Sequence, residues 1–262
     1  MTVRHFKFRS PTLLAVILLC SPSPAEADTV ILYPVADTTL VEVAPDNSMG
    51  GADFFNAGTA GNGQRNRALF RYDFTSAIPA GSMITGGFLS MEVVRQPQMD
   101  QQNSVFSLRR MLQSWGEGTQ AAEPGVSPGL GGPVMPGDAN WLWRFADTVA
   151  WGAEGGMVGV DFSSQISSTA FVYGLGDAVE FENTPQILAD LQYWLDNPGA
   201  NFGWMMLNEN ERTRKTARSF ASRESGFGPA LVIEFTPVPE PFTSGLLLLA
   251  LGGALAAHRR RP

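Results

Sequence analysis

ADTTLVEVAPDNSMGGADFFNAGTAGNGQRNRALFRYDF, residues Ala36 to Phe74, alternates short β-prone runs with polar, Gly-rich loops. Its last run decides the fold. Between Arg67 and Phe74, Ala68, Phe70, Tyr72 and Phe74 fall on one face, and Arg67, Leu69, Arg71 and Asp73 on the other. A period of two predicts a half-buried strand in an antiparallel sheet.

The same grammar continues in both directions. Val30–Val35 and Thr38–Val43 read as strands, broken by Pro34 and closed by Pro45. Leu89, Met91 and Val93 alternate after Gly86-Gly87, and Val105–Leu112 follows with Phe106 and Leu108 inward. Further strands are predicted at Phe171–Tyr173, Ala178–Phe181, Trp204–Leu207, Ser219–Ser222 and Ala230–Phe235. Between them, Gly116–Ala139 carries four prolines, seven glycines and no periodicity, and a loop that long is usually functional or mobile.

One helix is predicted. Thr184 caps it, Pro185 suits its first turn, and Ile187, Leu188, Leu191, Trp194 and Leu195 share one face. Asn197-Pro198-Gly199 ends it. Ten to twelve short strands with one helix make the chain all-β, a jelly-roll-like two-sheet antiparallel β-sandwich without a repeat or a second core. Trp194 and Trp204 are assigned to that core.

Composition narrows the chemistry. Both histidines, His5 and His258, and the only cysteine, Cys20, lie near the ends. The body, residues 28–237, therefore has no thiol nucleophile, no Ser-His-Asp triad and no Cys or His ligand for zinc. No zinc, haem or nucleotide is expected, and calcium, bound by oxygen, is the metal left open. Setting aside the charged residues of both ends leaves 12 basic and 23 acidic residues in the body, a net −11. That balance argues against nucleic acid as a partner.

The ends have their own logic. Arg4, Lys7 and Arg9, the apolar run Leu13–Cys20 and Ala25-Glu26-Ala27 form the three parts of a secretory signal peptide, residues 1–27. An uncleaved anchor is disfavoured by the short run, and a lipoprotein by Leu19 before Cys20. In residues 238–262, Pro239-Glu240-Pro241 precedes apolar Phe242–Ala257 and then Arg259, Arg260 and Arg261. As a helix the apolar run reaches about 24 Å, marginal for a membrane span, with the Arg cluster held in the cytoplasm.

This tail resembles the PEP-CTERM sorting signal. The resemblance implies an exosortase as processing partner and transient inner-membrane anchoring of the precursor. It also implies delivery to the cell surface or extracellular matrix of a Gram-negative bacterium that makes exopolysaccharide. A plain tail anchor is the alternative.

The body resembles the DNRLRE-type extracellular domains, grouped with carbohydrate-binding module family 96. Matching features are Asp37-Thr38, Gly50-Gly51, Arg65–Arg67, Leu69–Phe74 and Ile78–Ile84. Trp115–Gly118, Gly137–Trp141, Trp151–Gly156 and Asn201–Trp204 continue the series. The six letters of the family name do not occur as a run, and Ser222-Arg223-Glu224 is the nearest echo. The resemblance spans Asp28–Thr236 and implies a binding, not a cleaving, domain.

Several groups of residues are candidates for a site, each with a plain alternative. Asp37, Glu42, Asp46, Asn47 and Asp53 supply hard oxygens for calcium, with Gly50 and Gly51 freeing carbonyls; otherwise they form turns. Trp115, Trp141, Trp143 and Trp151 suit stacking on sugar rings, or they cap the core. Trp141 and Trp143 are expected on one strand face, exposed or buried together. Glu117, Asp138 and Glu154 read as a glycosidase pair only if their spacing allows it, and otherwise as solvated loop acids. Arg212, Arg214, Lys215, Arg218 and Arg223 form a basic group suited to a uronic-acid polymer, or else pair with Glu209, Glu211 and Glu224. The expected protein is an exported, non-catalytic, polysaccharide-binding component of the surface or matrix. A structural or adhesive protein without a sugar site is the rival, and a glycan-active enzyme the third reading.

Overall fold

The computed structural model describes residues 26–238. The signal-peptide and sorting-signal readings fall on residues outside that span, apart from their innermost positions. The strands are β1 (Asp28–Leu32), β2 (Ala36–Val41), β3 (Asn47–Ser48), β4 (Phe54–Thr59), β5 (Arg65–Arg71), β6 (Met83–Arg95) and β7 (Ser104–Arg110). There follow β8 (Gly132–Pro133), β9 (Trp143–Phe145), β10 (Val149–Ala150), β11 (Ser168–Val172) and β12 (Ala178–Phe181). The helix α1 (Pro185–Asp196) precedes β13 (Trp204–Asn208), β14 (Arg218–Ala221) and β15 (Ala230–Thr236).

The fold is all-β, an antiparallel sandwich with one α-helix, as the alternation predicts. Its two layers belong to one curled sheet, ordered β1-β15-β6-β14-β4-β5-β13-β7-β11, with β12 added to β6 and β2 to β5. Ala68 and Phe70 of β5, Tyr72 just after it, and Phe106 and Leu108 of β7 pack in one core with Leu89, Met91 and Val93 of β6 and Phe220 of β14. Helix α1 caps this core. Thr184 Oγ1 accepts the Ile187 N–H, and Ile187, Leu191, Trp194 and Leu195 are buried. The Trp194 and Trp204 rings meet edge to face, 4.6 Å apart.

Two expectations need correction, the half-burial of β5 and the single core. Strand β5 is not half-buried: Arg67 and Leu69, on its other face, are buried as well. The reason is a second hydrophobic cluster, which the sequence does not announce, on the outer side of the β2-β5-β13 layer. Leu40, Leu69, Met205 and Leu207 of those strands meet Met111, Trp115, Trp141, Trp151 and Phe162 from the chain between β7 and β11. That segment is irregular but tied down. Its backbone makes bonds such as Ala139 N–H to Gly116 O (2.7 Å) and Gly51 N–H to Gln120 O (2.9 Å).

The loop crosses so close to the chain between β3 and β4 that Gly50 and Gly51 have a steric role. A Cβ on Gly50 would lie 2.0 Å from Glu117 O, and one on Gly51 2.2 Å from Thr119 O. Trp141 lies at the centre of the second cluster, 2 % exposed. Trp141→Ala is therefore expected to cost about 3–5 kcal/mol, as for other buried Trp truncations. A urea midpoint unchanged by this variant would contradict the burial.

Candidate functional site

A cleft of about 920 Å³ opens on the outer side of the β5-β13-β7 layer. Five arginines line it: Arg65 and Arg67 from β5, Arg109 from β7, and Arg212 and Arg214 from the loop after β13. Three carboxylates, Glu42, Glu209 and Glu211, lie among them, leaving an excess of two positive charges. Residues 65 and 67 share a strand face, so their side chains emerge side by side.

The arginines divide into two kinds. Arg67 grips Glu211 with both arms, Nε to Oε1 at 2.7 Å and Nη2 to Oε2 at 2.6 Å, while Nη1 donates to Gly155 O and Gly156 O. Arg65 does the same to Glu42, at 3.0 and 2.5 Å, and its own N–H adds a third bond at 2.7 Å. These bonds hold the Glu42 carboxyl below its usual range and Arg65 above its own. Both guanidinium groups also lie over the Trp141 ring, at 5.0 and 5.6 Å from its centroid. Arg109 pairs with Glu209 at 3.0 Å and donates to Ser164 O, but its Nε is buried without a partner among the described residues. Arg212 and Arg214 are exposed and form no ion pair among the described residues. The paired arginines build the walls; the unpaired ones are free to meet an anion.

Of the predicted binding residues, Arg212 and Arg214 of the basic group reach this cleft and none of the tryptophans lines it. Trp115, Trp141 and Trp151 are buried, with the Trp115 indole N–H on Phe202 O (2.9 Å) and that of Trp151 on Asn140 O (2.8 Å). They cannot form a sugar platform, because the sheet beneath them needs an apolar cover. Trp141 and Trp143 do not share a face either. Trp143 is half-buried in the small β9-β10 hairpin, and Trp141 precedes that strand.

The basic group disperses as well. Arg218 is 1 % exposed and donates to four backbone carbonyls and to Asn103 Oδ1. Lys215 pairs with Asp100, and Arg223 with Glu117 and Glu224. The role of Arg65, Arg67 and Arg109 was missed. Its one visible signal was the placing of Arg65 and Arg67 two apart in a strand.

No family model matches this chain, and no curated protein matches it. The site therefore rests on its own geometry.

The expected calcium ligands do not converge: no group of three His, Cys, Asp or Glu side chains among the described residues is arranged to hold a metal. Glu42 is held by Arg65, the Asn47 amide donates to Leu130 O, and Asp46 and Asp53 are exposed. Asp37 is buried and accepts the Arg223 N–H at 2.8 Å. The three loop acids also have separate surroundings. Glu117 accepts the Asp37 N–H and pairs with Arg223, Asp138 accepts the Met135 N–H, and Glu154 is exposed.

Asp37 is the most perturbed acid. Burial pushes its pKa up to about 7; the Arg223 N–H opposes this, and Glu224 and Glu117 reinforce it. Burial also raises Glu117. A raised carboxyl binds its proton more tightly in the folded protein, so its contribution is full below about pH 4. It is lost as pH rises through about 7. Wild-type stability is therefore expected to fall between about pH 4 and 7 by on the order of a few kcal/mol. Asp37→Asn keeps an oxygen for the Arg223 N–H and should flatten that fall, leaving a smaller slope of the same sign from Glu117. Thermal melts across this range check it, and parallel curves for the two proteins would refute it.

Proposed function

We propose that this chain is an exported, non-catalytic protein of the cell surface or exopolysaccharide matrix that binds an acidic polysaccharide through its arginine cleft. The supporting observation is a concentration of charge: five of the body's 12 basic residues line one opening in a domain of net −11. A guanidinium matches a carboxylate with two parallel donors, and exposed Arg212 and Arg214 have that geometry uncommitted. Gln64 and Asn210, also on the lining, offer amides to sugar hydroxyls. Burial of Trp115, Trp141 and Trp151 shifts the reading from a neutral glycan on those rings to a uronic-acid polymer in this cleft.

The tail residues Pro239-Glu240-Pro241 and Arg259–Arg261 support sorting by an exosortase, with a precursor held briefly in the inner membrane. Intact mass of the surface-located protein from its native host is expected to lack both Met1–Ala27 and the terminal arginines; retention of Arg259–Arg261 there would remove the sorting reading.

Binding is tested by retention on a polyuronate in low and high salt. Arg214→Ala and Arg212→Ala are each expected to weaken it about tenfold, the loss of one charge-assisted hydrogen bond. Added salt should weaken the unaltered protein too. If the unaltered protein ignores polyuronate at low salt, the structural or adhesive role replaces this one.

A further inference from the structure

A second candidate surface lies on the other layer of the sandwich. Phe227 is 82 % exposed, at the tip of the Gly226–Pro229 turn that leads into β15. Such a ring on a loose tip would mean little, but this turn is held at several points. Gly226 is left-handed (φ 78°) and its N–H bonds to Arg223 O. The Phe227 N–H meets Ser225 Oγ at 3.0 Å, and Tyr72 Oη donates to Pro229 O at 2.9 Å. The ring is presented by design of the backbone, not by fraying.

Two shallow depressions flank it, of about 480 and 360 Å³. Both are lined by Phe227 and by Glu92, and between them their linings follow β6 from Ser90 to Arg95, a surface we take as one trough. The first half is lined by Tyr33, 58 % exposed, and by Ser90. The second holds Asp53 and Arg95, whose guanidinium lies 4.1 Å above the Phe54 ring. Glu92 is exposed and makes no ion pair among the described residues.

We propose that this trough is a second saccharide site, one that takes a neutral hexose polymer. A pyranose has an apolar C–H face and a polar rim, and the lining of the trough offers partners for both. Tyr33 and Phe227 supply ring surfaces, and Glu92, Ser90 and Arg95 supply hydrogen-bonding groups between and beside them. A lipid or apolar helix would need continuous apolar lining, which Glu92 interrupts. The charge decides between sugars: Asp53 and Glu92 outweigh Arg95, so the trough repels the uronate that the arginine cleft attracts. With both sites filled, one molecule would bridge an acidic and a neutral polysaccharide.

The test is affinity electrophoresis of the protein in gels containing hydroxyethylcellulose, galactomannan or polyuronate. At least one neutral polymer is expected to retard it, and Phe227→Ala and Tyr33→Ala each to weaken that retardation by about tenfold or more, as when an anchoring aromatic is truncated. Both side chains are exposed, so melting temperatures should not move. Arg214→Ala should leave neutral retardation intact, while the two ring variants leave polyuronate binding intact. Retardation by neither neutral polymer, or neutral retardation that survives Phe227→Ala or is lost with Arg214→Ala, overturns the second site. Loss of polyuronate binding alone bears on the cleft and not on this trough.

Discussion

Covering both faces of β5 is the constraint from which most of this structure follows. One face supplies Ala68 and Phe70 to the core, and the other buries Arg67 and Leu69 beneath the segment that contributes Trp115, Trp141 and Trp151. A guanidinium buried in that layer is costly unless every donor is met. Arg67 meets the demand with Glu211 and two carbonyls of the Gly155-Gly156 turn. One side chain thus joins the outer cover, the sheet and the loop after β13.

The same arrangement sets the electrostatics of the cleft. Arg65 and Arg67 are neutralised by carboxylates and lie over Trp141, so they act as fixed walls more than as free charge. Arg212 and Arg214 stand beyond those walls on the loop whose Glu211 is already engaged. Tying down Glu211 keeps it from quenching its own neighbours in sequence. An overall acidic domain can in this way keep a local positive opening, which interleaved acids and bases would not suggest.

What the sequence made legible was local. The alternation in β5, the Thr184 cap with Pro185, and the inward Phe106 and Leu108 each depend on neighbours within a turn or a strand, and each appears where expected. The fate of the tryptophans was not local. Trp115 and Trp141 are large and sit in irregular segments, and nothing near them records that a sheet face more than 40 positions earlier needs a cover. The cleft was hidden for the same reason, since Arg67 and Glu211 stand 144 residues apart. Gly50-Gly51 misled in another way. A pair that looks like freedom for ion-binding carbonyls is there because the backbone of residues 117–119 presses against it.

The position of β15 has a consequence for the order in which the chain can mature. The last strand of the body is inserted between β1, the first, and β6, with Asp28 opposite Phe235 and Thr236 opposite Met83. Until residues 230–236 have been synthesised, β1 has no partner in this sheet and the core lacks Leu231, Ile233 and Phe235. A nascent chain therefore cannot close its sandwich early, because the contacts that complete it are separated by nearly the full length of the body. Such a topology leaves the sandwich incomplete, with β1 unpaired and three core side chains missing, until the last strand of the body has been made.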